Sequence, residues 1–157
     1  MKKILCMCLV ILFIFSLSAC SDFLAGVQFL YLVVTGDDRA EKDEVFAFVS
    51  ENEEELLNAI EKGDFSAFEN QGFIQEIDAD EAVVDFSCGG FGVGSGTSYV
   101  GFYYTSGNNM VAVWCAPSYA SALAPSGNGF EWQEPNGDNR YYTEHICGNF
   151  YYYEASF

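Results

Sequence analysis

The chain has 157 residues, of which 23 are Asp or Glu and 6 are Lys or Arg, giving a formal net charge of −17 at pH 7. Half of the residues are hydrophobic and 17% are aromatic, which argues against a wholly disordered chain. A surface this acidic repels nucleic acid, so a nucleic-acid partner is not expected.

The N-terminus has the pattern of an export signal. A cationic start at residues 2–3 precedes an apolar run over residues 4–17, which is short for a membrane span of about 20 residues. The run ends in Leu17-Ser18-Ala19-Cys20. This motif resembles the lipobox of bacterial lipoproteins, which implies a signal peptide over residues 1–19 and a lipid thioether on Cys20. The alternative, an uncleaved membrane helix, would need a longer apolar run.

The predicted cleavage makes the chain still more acidic. It removes Lys2 and Lys3 but no carboxylate, so the formal charge falls from −17 to −19. Because that charge would not hold the protein at a membrane, the lipid on Cys20 is the expected membrane contact, with the domain on the outward face of the cell membrane. Ser21 rather than Asp follows the cysteine, which leaves an outer-membrane destination open in a two-membrane cell. A charged soluble partner would be basic.

Residues 20–36 form an apolar segment next to the lipidation site. Phe23, Val27 and Leu30 share a face at helical spacing, which favours a helix lying in the membrane interface. The same residues could form a strand that enters a core. The rest of the chain, residues 37–157, has the length and composition of one domain.

The first part of that domain is predicted to be helical. Asp38 with Glu41 and Ser50 with Glu53 have capping-box spacing, and Gly63 is a good helix stop. The pattern fits one long helix or two short helices joined at Ser50. Its 3.6-residue apolar stripe consists of Val45, Phe48, Val49, Leu56, Leu57 and Ile60.

From residue 81 onward the pattern changes to the alternation typical of strands. A hairpin is predicted between residues 98–105 and residues 110–115, and the chain is predicted to close with one aromatic strand over residues 146–154. The predicted fold is α+β, with a small antiparallel sheet of about five strands and one or two N-terminal helices on one face. The other predicted strands are residues 83–88, 130–133 and 140–145.

Three cysteines remain in the exported domain. Cys88 and Cys115 each end a predicted strand and face its apolar side, so a Cys88–Cys115 disulfide is favoured over Cys88–Cys147. Three unpaired thiols are the alternative. The sole histidine, His145, allows a further hypothesis, a thiol hydrolase that uses it with Cys88 or Cys147.

Other chemical motifs are weak. The glycine-rich run at residues 89–96 lacks the spacing of a dinucleotide-binding fingerprint and is predicted to be a loop. No CxxC or HxxxH spacing predicts zinc, and the acidic turn at residues 134–139 lacks the ligand order of an EF-hand. No metal site and no cofactor are therefore expected.

The aromatic strands carry the leading functional hypothesis. Because one helical layer covers only one face of a sheet, rings on the other face should stay partly exposed, where Tyr and Trp can bind a glycan or a protein. We expect Trp132, Tyr151 and Tyr153 to form this ligand-binding platform in a non-catalytic surface lipoprotein. The alternative binding function is an inhibitor or decoy for a basic protein, with the thiol hydrolase as the enzymatic alternative.

Overall fold

The computed structural model of the protein describes residues 39–69, 71–92, 96–107, 109–110 and 121–157. Residues from Asp38 to Phe157 form one compact unit. The predicted α+β class with an antiparallel sheet is confirmed, but the sheet has seven strands rather than about five. The elements are helices α1 (Lys42–Glu51) and α2 (Glu53–Lys62) and strands β1 (Glu76–Ala79), β2 (Val83–Phe91), β3 (Ser98–Thr105), β4 (Ala124–Ser126), β5 (Gly129–Gln133), β6 (Arg140–Cys147) and β7 (Phe150–Ser156).

The helical region consists of two helices that meet at Asn52. The N-cap of α1 is Glu41 and that of α2 is Asn52, both without a side-chain cap bond. The predicted capping box that begins at Ser50 is therefore not formed, and Asp38 of the other predicted box lies outside the described residues. The joint lies at Asn52 rather than Ser50, because Asn52 leaves the helical conformation and its side-chain amide donates to the Phe48 carbonyl at 2.8 Å. Gly63 ends α2 in the left-handed conformation, as expected.

The sheet is entirely antiparallel and has the order β1-β2-β3-β7-β6-β5-β4. Two meanders, β1–β3 and β4–β7, join where β3 pairs with β7. Strand β3 has the predicted bounds, but its partners are β2 and β7. The predicted hairpin between β3 and residues 110–115 is therefore wrong, because both edges of β3 are occupied; residues 111–115 themselves lie outside the described part of the chain.

Three further strand assignments are corrected. The linking segments after α2 and before residue 129 contain two short strands, β1 and β4, that were not predicted. Strand β2 continues through Gly89 and Gly90 to Phe91, so the first part of the predicted glycine-rich loop belongs to the sheet. The predicted strand over residues 146–154 is divided between β6 and β7 by a turn.

That turn is the two-residue connection Gly148-Asn149. Gly148 has φ +49, a left-handed value that suits glycine at a tight hairpin turn. The β6–β7 pairing also shifts register between His145 and Cys147, so that Cys147 lies opposite Phe150. Cys147 thus packs with Phe150 on the helix side. Uninterrupted alternation along a single strand over residues 146–154 would have predicted that Cys147 points to the opposite face from Phe150, and this expectation is wrong.

The helices cover one face of the sheet and form what we call the helix-side core. Helix α1 contacts β6 and β7. Phe86 and Phe102 are stacked with ring centroids 4.5 Å apart, and Phe48 meets Phe73 edge to face at 4.9 Å. Burying each such ring contributes about 1.5–3 kcal/mol relative to leaving it exposed. The buried members are Ala40, Val45, Val49, Leu56, Ala59, Phe68, Ile74, Val84, Phe86, Cys88, Val100, Phe102, Phe150 and Tyr152.

Neither of the two helices in the described ranges is long and apolar enough to cross a membrane. The predicted signal peptide, Cys20 and the apolar segment 20–36 lie outside the described residues.

Candidate functional site

The face of the sheet opposite the helices carries a second aromatic cluster, which we call the tyrosine face. Its buried members are Tyr103, Trp132, Tyr141, Tyr151, Tyr153 and Ala155. Strand register places them in cross-strand rows. One row runs Asp78, Asp85, Tyr103, Tyr151 and His145.

The three rings of the predicted platform do lie in this one cluster, but they present little surface. Trp132 is 9% exposed, Tyr151 5% and Tyr153 0%. Tyr151 stacks on Tyr103 at 5.3 Å and Tyr153 stacks on Tyr141 at 6.2 Å, so each tyrosine ring has a neighbouring ring on a face that a ligand would need. Any ligand contact on this side of the sheet must therefore be sought beside these rings.

Hydroxyl groups on the tyrosine face form hydrogen bonds with other groups of the sheet. Thr143 Oγ1 donates to the Tyr152 carbonyl at 2.9 Å, so its bond with the Tyr103 hydroxyl, also 2.9 Å, has the tyrosine as donor. The Tyr153 ring lies across Gly101, and its hydroxyl points to Asp85 Oδ2 at 3.4 Å. These bonds hold the tyrosine rings in one arrangement.

An open cleft of about 380 Å³ lies at the β1–β2–β3 end of the tyrosine face. It combines a carboxylate, hydroxyls, backbone groups and one partly buried ring, Tyr99, which itself packs against the tyrosine cluster. Ligand sites commonly combine an apolar surface with a few polar groups in this way. The residues that line the cleft are Gln75, Glu76, Ser87, Gly90, Gly92, Thr97 and Tyr99.

A β-bulge shapes this cleft. The β2–β3 register shifts between Ser87 and Gly90, after which Gly90 lies opposite Tyr99. A Cβ atom at Gly90 would lie 3.1 Å from the Tyr99 ring, so a larger residue would push that ring out of position. Bulges often stand next to binding sites because they redirect side chains.

Sequence reasoning assigned no binding role to the residues of the cleft, although Gly90 and Gly92 belong to the glycine-rich run that it predicted to be a loop. The one available signal was Asp85, a carboxylate between apolar neighbours in Val83-Val84-Asp85-Phe86. A charged residue inside such a run indicates either that this face of the strand is exposed to solvent or that the group is buried and has a functional role. Asp85 is buried, two residues along β2 from the cleft residue Ser87.

The cysteine–histidine hypothesis gains no support from the geometry. His145 is exposed on the tyrosine side, where its Nε2 is 2.9 Å from the Gly148 carbonyl oxygen and so carries the proton. Cys147 packs on the opposite side of the sheet. Burial raises the pKa of the Cys147 thiol, and the neighbouring Glu53 carboxylate adds to this. Burial likewise raises the pKa of Cys88, so both thiols are held in the protonated, weakly nucleophilic form.

Cys88 lies in the helix-side core, and among the described residues neither Cys88 nor Cys147 forms a disulfide. The proposed Cys88–Cys115 bond required neighbouring strands, whereas β2 pairs with β1 and β3. Cys115 lies outside the described residues, so that pairing stays a prediction.

Two cations of the domain, Lys42 and Arg140, pair with carboxylates of the fold. Lys42 pairs with Glu144, and its ammonium lies 5.1 Å from the centre of the Tyr142 ring. Burial opposes ionisation of Glu144, but hydrogen bonds from Lys42 and Tyr142 outweigh it and lower its pKa. Arg140 pairs with Glu131 at 2.7 Å.

Within the described part of the chain, no group of three or more His, Cys, Asp or Glu side chains is arranged to hold a metal ion. The chain matches no protein-family model, and neither curated proteins nor solved structures give a match. The function must therefore be inferred from the site alone.

Proposed function

We propose that this chain is a lipid-anchored, non-catalytic binding protein of the cell surface and that its ligand occupies the cleft beside Tyr99. The observation that carries the proposal is the position of this polar cleft on the tyrosine face, next to rings that are themselves buried. The anchor rests on the lipobox-like motif ending at Cys20.

The lining of the cleft favours a glycan as ligand. The Tyr99 ring offers an apolar surface on which a sugar ring can stack, while Glu76, Gln75 and Ser87 supply groups that hydrogen-bond to sugar hydroxyls. The aromatic-face hypothesis is thereby kept, with Tyr99 instead of Trp132, Tyr151 and Tyr153 as the contact residue.

A binding role also fits the chemistry of the described side chains. Nucleophilic catalysis needs an activated thiolate or hydroxyl with a base within hydrogen-bond reach. Cys88 and Cys147 are held protonated, and His145 lies on the other side of the sheet. The proposed function of this domain is therefore to recognise a ligand without breaking a bond in it.

The test is binding of the full lipidated chain, in detergent micelles, to an array of neutral oligosaccharides. We expect Tyr99→Ala to weaken binding of the best oligosaccharide roughly tenfold, as the loss of one aromatic contact does, and Glu76→Gln to weaken it less. Asn58→Ala is the matched control, because Asn58 lines a separate groove of about 340 Å³ beside α2. Binding unchanged in Tyr99→Ala and Glu76→Gln would refute the cleft as the site.

A second candidate, capture of a basic protein, is favoured by the charge distribution. Lys42 and Arg140 are paired inside the fold, whereas carboxylates such as Glu51, Glu54 and Glu55 are exposed on the helices. A lysozyme is a suitable cationic probe. Its affinity for the full chain should fall steeply between low and physiological salt, and salt-independent binding would count against this candidate.

A further inference from the structure

Asp85 is a buried carboxyl group without adequate partners. Its residue is 7% exposed, and its Oδ1 has no hydrogen-bond partner. Its Oδ2 receives a long 3.4 Å contact from the Tyr153 hydroxyl, and a weak bond from the Phe86 backbone N–H is the other interaction that favours its ionised form. An ionised carboxylate so placed is unfavourable, because burial without hydrogen bonds is costly for a charge.

The surroundings of Asp85 add to this cost. From β1, Asp78 lies directly opposite it and Glu76 stands two pairs further along, on the same face. From β3 and β7 it faces Tyr103 and Tyr153, and none of the strands β1, β2 and β3 contains a Lys, Arg or His. Like charges directly across two strands weaken their pairing.

The group therefore titrates in the physiological range. Burial raises the pKa of Asp85 to about 7, the hydroxyl of Tyr153 opposes this, and the charges of Asp78 and Glu76 add to it. A small change in pH near neutrality thus changes the charge of a buried group.

The strand opposite Asp85 is one of the two short edge strands of the sheet. β1 has four residues, forms one edge and is mostly exposed. Backbone bonds flank it, from Gln75 N–H to the Ser87 carbonyl at 2.8 Å and from Asp80 N–H to the Val83 carbonyl at 2.9 Å. It carries Glu76, one wall of the cleft.

We propose that Asp85 is a pH-sensitive latch on edge strand β1. In its neutral form, Asp85 can donate its proton to the carboxylate of Asp78, whose Cβ lies about 4.5–5.5 Å away at a directly opposite position. In its ionised form, the two carboxylates repel each other and β1 loosens from β2. This inference does not depend on the proposed ligand, although a loosened β1 would also displace Glu76.

The test is hydrogen exchange of the full chain in detergent micelles, followed by mass spectrometry and corrected for intrinsic exchange rates. When β1 is released from β2 (the open state), Asp85 would regain an ordinary pKa. Between about pH 4 and 7 the closed state, with β1 paired, therefore holds one more proton than the open state. Protection of the peptide over residues 74–82 should therefore fall roughly tenfold per pH unit from pH 5 to pH 7 and then level off. This peptide should also exchange faster than β6 and β7 at pH 7, because β1 separates from β2 without unfolding of the rest of the sheet.

Variants separate the latch from general acidity. Asp85→Asn removes the titration and should give protection that does not change with pH. Asp78→Asn should move the levelling-off to lower pH, which tests the pair even if Asp85→Asn does not fold. Glu81→Gln removes an exposed carboxylate in the turn between β1 and β2, and this variant should behave like the native chain. The latch is overturned by pH-independent protection in the native chain, by an Asp85→Asn variant that keeps the native profile, or by equal protection of β1 and β6–β7 at pH 7.

Discussion

At the scale of single residues, Gly101 shows how the tyrosine face constrains the sequence. A Cβ atom there would lie 2.4 Å from the Phe86 carbonyl oxygen and 2.7 Å from the Tyr153 ring. The ring can reach Asp85 only because position 101 has no side chain. The glycine therefore sets the position of Tyr153, and with it the hydrogen bond that the Tyr153 hydroxyl donates to the buried carboxyl group.

We predict that Gly101→Ala destabilises the domain by about 1–3 kcal/mol, the cost of overpacking a well-filled core. Urea unfolding followed by tryptophan fluorescence measures this. Gly72→Ala is the matched control, since a Cβ at Gly72 meets no atom within 4 Å and its unfolding midpoint should hardly change. Equal midpoints for the two variants would contradict the close packing of Tyr153 on Gly101.

At the scale of elements, the joint between α1 and α2 depends on Asn52. Its side-chain amide donates to the Phe48 carbonyl at 2.8 Å, and its backbone N–H donates to the same oxygen at 3.0 Å. We predict that Asn52→Ala lowers the free energy of unfolding by about 1 kcal/mol, the typical contribution of such a bond. Asn58→Ala, an exposed position within α2, should be neutral or slightly stabilising because Ala is the better helix former. Thermal unfolding of both variants measures these changes. A larger loss of stability in Asn58→Ala than in Asn52→Ala would contradict the role of Asn52 at the joint.

The sequence predicted the elements that have a regular period or clear turn signals. The helical stripe from Val45 to Ile60 was found because its apolar positions recur with a 3.6-residue period, and the strand at residues 98–105 was found because its aromatic residues end at the turn residues Ser106-Gly107. The β6–β7 turn was missed because aromatic residues lie on both faces of these strands. Without an alternation of polar and apolar residues, the sequence shows no break in pattern where one strand ends and the next begins. Gly148-Asn149 was the remaining signal, a turn-forming pair in an otherwise continuous apolar run.

The candidate site was less predictable than the fold. The grouping of Trp132, Tyr151 and Tyr153 was inferred from alternation, but their burial depends on cross-strand stacking with Tyr103 and Tyr141, which no local pattern encodes. The cleft depends on a register shift in β2 that the sequence marks only by consecutive glycines. Strand order likewise decides that Asp78 faces Asp85.

At the scale of the whole molecule, two buried carboxyl groups respond to pH in opposite directions. Asp85 has a folded pKa of about 7, raised from 3.8, so its neutral form stabilises the fold fully below pH 4 and this stability is lost as pH rises to about 7. The loss is at most about 4 kcal/mol at 1.36 kcal/mol per pKa unit. Glu144 has a lowered pKa, so its ion pair with Lys42 stabilises the fold above pH 4.5 and is lost on acidification.

We therefore predict that the domain is most stable at an acidic pH, about 4, and less stable at pH 8. The acidic limb reflects protonation of Glu144 and the neutral limb reflects ionisation of Asp85, reinforced by repulsion among the 23 carboxylates. Thermal unfolding between about pH 3 and pH 9 at constant ionic strength measures the profile. Asp85→Asn should flatten it between pH 5 and 7, while Glu144→Gln should flatten only the acidic limb. A stability maximum at or above pH 7, or a native slope in Asp85→Asn, would show that Asp85 ionises as freely in the folded domain as in the unfolded chain.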